Sequence, residues 1–66
     1  MKFQSGDIVY SPRRKSTFIL QSRERSGSQW YCILVDSNTH EVVKRDGEVI
    51  PCYVWEYDMQ LVENSK

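Results

Sequence analysis

The sequence predicts an all-β domain: five or six short strands curled into a small barrel, with one helical turn before the last strand. Three observations predict it. Runs of β-branched and aromatic residues recur as short segments, which suits a pleated surface. Turn signals built from Gly, Pro, Asn and Asp separate those runs. Few windows carry an apolar period of 3.6 residues. Short strands in so small a chain cannot lie open with both faces wet, so the sheet is expected to curl and hide most of its edges.

The first strand follows Gly6-Asp7 and runs Ile8-Val9-Tyr10-Ser11, stopped by Pro12. A polar loop, Arg13-Arg14-Lys15-Ser16, leads to a second strand from Thr17 to Ser22 or Arg23. The stretch 23–28, RERSGS, is a turn punctuated by Gly27. The third strand is QWYCILV, residues 29–35, and Asp36-Ser37-Asn38-Thr39 is a tight turn. His40 to Arg45 is the fourth strand, and Asp46-Gly47 turns the chain again. Val49-Ile50 starts a short strand that Pro51 stops. The tail gives one helical turn near Val54–Tyr57, a last strand from Met59 to Glu63, and fraying over 64–66. The whole chain is one domain, with its ordered part at about residues 5–63.

The third strand is apolar or weakly polar at every position from Trp30 to Val35, although a strand with one wet face should alternate. A two-residue loop at Ser37-Asn38 would set Ile33 opposite Val42 and Cys32 opposite Val43. On that pairing Tyr31, Ile33, Val35 and Val42 enter the core, with Ile8, Tyr10, Phe18, Leu20, Leu61 and Cys52 as companions. Trp30, Cys32, Leu34 and Val43 then form a second apolar face rimmed by Glu41 and Arg45, with Arg45 over the Trp30 ring. A loop one residue different exchanges the faces and puts Trp30 inside.

The segments GDIVY (6–10), WYCILV (30–35), EVV (41–43) and VWEYDMQLV (54–62) together resemble SH3-like small barrels of the Tudor and KOW kind. The resemblance spans about 55 residues and implies the barrel geometry. It does not carry either family's ligand. The glycine-containing loop of the KOW pattern is replaced by SPRRKS at 11–16, and no complete aromatic cage can be assigned. The size and layout also resemble small phage or bacterial accessory proteins.

With 66 residues, nine basic and nine acidic side chains balance to zero net charge. A simple nucleic-acid glue is usually strongly basic. The single histidine, His40, and two cysteines 20 residues apart, Cys32 and Cys52, lack the spacing of a metal site or a nucleophile pair. The cysteines read as two packed thiols. The carboxylates fall at turns, where they bond backbone N–H groups. We therefore expect no enzyme, no metal, no cofactor and no small-molecule substrate. No membrane span or signal segment is visible, and the expected location is cytoplasmic.

Two surfaces stand out. The first is apolar and aromatic: Trp30, Leu34, Val43, Arg45, Trp55 and Tyr57. It would dock a partner protein or a second copy of the chain, since Trp and Tyr are common anchors of interfaces. The second is basic: Arg13, Arg14 and Lys15 with Arg23 and Arg25. With bases stacked on the aromatic group Trp30, Tyr53, Trp55 and Tyr57 it would bind RNA or DNA. The first reading leads because net charge is zero.

Overall fold

The computed structural model describes residues 3–65. Seven strands and one 3-10 turn follow one another: β1 (Ile8–Ser11), β2 (Ser16–Arg23), β3 (Gln29–Val35), β4 (Lys44–Arg45), β5 (Glu48–Val49), β6 (Pro51–Trp55), the 3-10 turn (Glu56–Asp58) and β7 (Gln60–Glu63). Five form one antiparallel sheet in the order β6-β3-β2-β1-β7, and β4 pairs with β5 in a separate two-stranded ribbon. No helix among the described residues is long and apolar enough to cross a membrane.

The sheet does not close into the expected barrel: β6 and β7 are its two edges. The edge groups of β6 explain why. Leu34 N–H donates to Ile50 O at 2.9 Å, and Glu56 N–H donates to Ser28 O at 2.8 Å. These bonds fix the ladder's parity, so Tyr53 turns its backbone groups outward. Arg14 Nη2 donates to the Tyr53 carbonyl at 3.0 Å, and Pro51 has no N–H to offer. A side chain therefore occupies the seam where a closing strand would bond.

The core sits on one face of the sheet. Val9 lies opposite Phe18, Phe18 opposite Leu34, Leu20 opposite Cys32, and Cys32 opposite Cys52. Phe3, Val9, Phe18, Leu20, Trp30, Cys32, Val54 and Met59 form the buried cluster, with Leu34 and Cys52 packed against it. This reverses the face assignment favoured from the sequence. Trp30 is core, and only 3% of its surface is exposed. The partners of β3 decide its faces, and they are Phe18 and Leu20 on β2 and Val54 on β6. Among the described residues, the expected fourth strand, His40 to Arg45, gives β3 one isolated bridge, Val42 to Val35, and is a strand only at Lys44–Arg45. Val42 and Leu61, expected inside, are exposed, whereas Tyr10 and Tyr31 are half-buried.

The opposite face is also apolar in one row: Ile8, Ile19, Ile33 and Pro51 lie side by side on β1, β2, β3 and β6. Ile8, Ile33 and Val35 are buried there. The segment after β3 links that strand to β7. It bridges Val35 at Val42, and its His40 Nδ1 reaches Glu63 Oε1 on β7 at 2.9 Å. Two covered faces explain why β3 does not alternate.

That segment turns on Asp36, whose Oδ1 accepts from Asn38 N–H at 2.7 Å and Thr39 N–H at 3.0 Å. Those donors hold the Asp36 carboxyl below its ordinary range. The loop is longer than expected, because Asp36 N–H bonds Glu41 O and the turn spans 37–40. The chain next pairs Val43 N–H with Leu34 O, leaves the sheet for the β4–β5 hairpin, and returns at Ile50 to the same Leu34. Asp46 and Gly47, both at positive φ, make the expected turn.

Residues near both ends make contacts with the fold. Phe3 is buried, and the buried Asp7 carboxylate accepts from Gln4 N–H at 3.0 Å and Ser65 N–H at 2.7 Å. Gly6 makes this closeness feasible: its φ is +92°, and a methyl placed there would lie 2.9 Å from Ser65 Cβ. The fraying expected at Lys66 lies outside the described residues.

Candidate docking surface

Strand β6 alternates as an edge strand with one buried side. Val54 points into the core, while Tyr53 and Trp55 point out, 49% and 40% exposed. The 3-10 turn then carries Tyr57 outward at 73% exposure. The Trp55 and Tyr57 rings stack, with centroids 5.7 Å apart and planes at 18°. Tyr53 meets Tyr31 at 5.4 Å in a tilted pair. Exposed Trp and Tyr rings are the usual material of interfaces.

The 3-10 turn is held from beneath. Asp58 is buried and accepts from Ser11 Oγ at 2.5 Å and from Arg13 N–H at 3.2 Å. This clamp fixes the β1–β2 loop beside Trp55. Arg13, Arg14, Trp55 and Asp58 line a shallow cleft of about 280 Å³. The Asp58 oxygens are engaged by the loop itself, so the cleft faces outward as cation and indole. Among the described residues, Arg13, Arg14 and Lys15 make no ion pair.

On the other side of the turn, Glu56 is a hub. Arg23 donates to both its oxygens, at 3.1 and 2.9 Å, and Trp30 Nε1 donates at 3.3 Å. The Arg23 guanidinium lowers the Glu56 carboxyl's pKa, and the indole N–H adds to the effect. Arg23 also donates to Gly27 O at 2.7 Å and lies 4.8 Å over the Trp30 ring. The cation over Trp30 is thus Arg23, not Arg45, which sits exposed on β4.

The sequence-derived aromatic set divides. Trp55 and Tyr57 meet at one exposed spot. Trp30 is buried and Leu34 packs on the core, so neither offers a free surface. Val43 is half-buried where the chain leaves the sheet. Of the basic set, Arg13, Arg14 and Lys15 share one loop, Arg25 is exposed in the next loop, and Arg23 is committed to Glu56. No group of three or more His, Cys, Asp or Glu among the described residues could hold a metal. The chain matches no protein family, no curated protein and no solved structure.

Tyr53 and Asp58 complete the surface; the sequence groups Tyr53 with Trp30, Trp55 and Tyr57, whereas Asp58 reads only as a turn carboxylate. The alternation Cys52-Tyr53-Val54-Trp55 was the available signal for the outward side of Tyr53, obscured because Pro51 read as the end of a strand. A further open groove of about 620 Å³ lies below Tyr57, between Phe3, Gly27, Ser28, Met59 and Leu61.

Proposed function

We propose that this chain is a non-catalytic binding module that docks a partner protein through Tyr53, Trp55 and Tyr57. The exposed, mutually stacked Trp55–Tyr57 pair carries the reading, because it leaves two large rings in water on a well-anchored turn. Rigid rings give contact area at low entropic cost. The fold is read as an opened form of the SH3-like barrel. Its order β7-β1-β2-β3-β6, with a 3-10 turn leading into the last strand, supports that reading.

A photo-crosslinking residue, p-benzoylphenylalanine, in place of Tyr57 tests the surface in cells expressing the chain. A defined protein adduct is expected at position 57 and not from the same residue at exposed Gln21. An adduct with a second copy of the chain would identify the partner as itself. No adduct at 57, or the same adducts at both positions, refutes the reading.

A second reading, single-stranded RNA or DNA, is favoured by one observation: Arg13 and Arg14 line the same cleft as Trp55. It predicts oligonucleotide binding that weakens with salt and with Arg13→Ala or Trp55→Ala. Fluorescence anisotropy at low salt with no binding to any oligonucleotide removes it.

A further inference from the structure

Cys32 on β3 and Cys52 on β6 are direct cross-strand partners. Two positions along from them, Leu34 N–H donates to Ile50 O, so Leu34–Ile50 and Cys32–Cys52 are both hydrogen-bonded pairs. Such pairs hold their Cα atoms about 5.5 Å apart with side chains on one face. A disulfide needs Cα atoms about 4.4–6.8 Å apart, which this pairing meets, and Cβ atoms about 3.5–4.5 Å apart. In a hydrogen-bonded pair the Cβ atoms stand at about 5 Å or more, so β3 and β6 must draw together as the bond forms. Cys32 is fully buried, whereas Cys52 is half-buried and open to reagents. The thiols are free, and each points its S–H toward a backbone carbonyl: Cys32 to Trp30 O at 3.4 Å, Cys52 to Tyr53 O at 3.8 Å.

We propose that Cys32 and Cys52 are an oxidisable pair, and that a disulfide between them latches β6, the strand presenting Tyr53 and Trp55, to β3. With hydrogen peroxide as oxidant the steps balance. The Cys52 thiolate attacks one peroxide oxygen, the O–O bond breaks, and Cys52 sulfenic acid forms with one water after proton uptake. The Cys32 sulfur then attacks the Cys52 sulfur, the S–O bond breaks, and a second water leaves with the Cys32 proton. Two thiols give up two electrons, and the peroxide takes them. Burial, which pushes the Cys32 thiol up to about 12, slows the second step. The latch closes a loop that includes the β4–β5 hairpin.

The test uses the intact chain with peroxide, followed by mass spectrometry and counting of free thiols. Monomer lighter by two hydrogens is expected, with both thiols lost together and restored by dithiothreitol. The oxidised monomer should melt above the reduced form, by less than the roughly 10 °C or more that an unstrained bridge over this loop would add. Cys52→Ser, altered at the more accessible position, should abolish both changes. Sulfinic acid at Cys52 or a Cys52-linked dimer, with Cys32 still free, overturns the pair. Thiols that stay free under conditions that oxidise the urea-unfolded chain overturn it too. A disulfide form melting no higher than the reduced form overturns the latch.

Discussion

Replacing Trp30 tests the face assignment of the whole sheet. Its indole is buried, donates to Glu56 at 3.3 Å and lies under Arg23. Trp30→Ala removes the largest side chain of the core cluster, a change that costs about 3–5 kcal/mol. A chain of 66 residues has a total stability of about 3–10 kcal/mol. The alanine variant should therefore lose about a third or more of its stability, and all of it if the total lies at the low end of that range. Trp30→Phe keeps a ring in the core and loses the indole hydrogen bond and some volume, for about 1–2 kcal/mol. At about 1 kcal/mol per molar urea, its midpoint should fall by about 1–2 M. The assay is urea unfolding followed by circular dichroism, which does not depend on the tryptophan removed. Tyr31→Ala, on the opposite face and half-buried, should cost less than Trp30→Ala. If Trp30→Ala unfolds at the parental midpoint while Tyr31→Ala collapses the fold, the inward face is that of Tyr31 and the reasoning fails.

Three further outcomes follow from the same geometry. The Glu56 carboxyl, held below its ordinary 4.5 chiefly by Arg23, contributes stability that is present above that value. This contribution drains away as pH falls through the lowered folded pKa. The urea midpoint should decline in acid below about pH 4.5, and Glu56→Gln should flatten that decline. A Glu56→Gln profile as steep as the parent's would remove Glu56 from the account. For Cys32 the sign is opposite. Above pH 9.0 the unfolded chain loses this proton and the folded chain, with its thiol up to about 12, keeps it. Stability should drop by about 1.4 kcal/mol per pH unit there. Cys32→Val should show less of this loss, and iodoacetamide on the native protein should label Cys52 well ahead of Cys32. Finally, Gly6→Ala meets both a positive φ and Ser65 Cβ, whereas Gly47→Ala meets only the positive φ. Thermal unfolding should show Gly6→Ala as the worse by about 1 kcal/mol or more, and equal melting points would contradict the close approach.

Much of the strand layout was legible, because Gly6-Asp7, Gly27, Asp36 and Asp46-Gly47 punctuate the chain and each stands at or beside a turn. The helical turn before the last strand was legible too, displaced by one or two residues to Glu56–Asp58. The faces of β3 were not. A run apolar on both sides carries no phase, so its orientation depends on which strand it meets, and that strand is separated from it by the 36–50 excursion. Pro51 was misleading for a related reason. It opens β6 on an edge, where its missing N–H leaves no ladder bond unmade. Of the candidate surface, Trp55 and Tyr57 were readable as exposed aromatics beside Glu56 and Asp58. Arg23 over Trp30 was not, because the register shift between Leu20 and Ser22 decides that pairing, and Arg14 on Tyr53 was not, because that contact joins residues 39 apart in sequence.

The return of the chain to Leu34 has a consequence for how freely this fold can be edited. Val43 and Ile50 bond the same residue, and Pro51 lies opposite Ile33, next along β3. Splicing Val43 directly to Pro51 would leave the partners of Val35, Leu34 and Ile33 in unbroken succession. Residues 44–50 are thus a cassette hung on an otherwise continuous strand, and foreign sequence could be carried there without renumbering a single pair in the sheet.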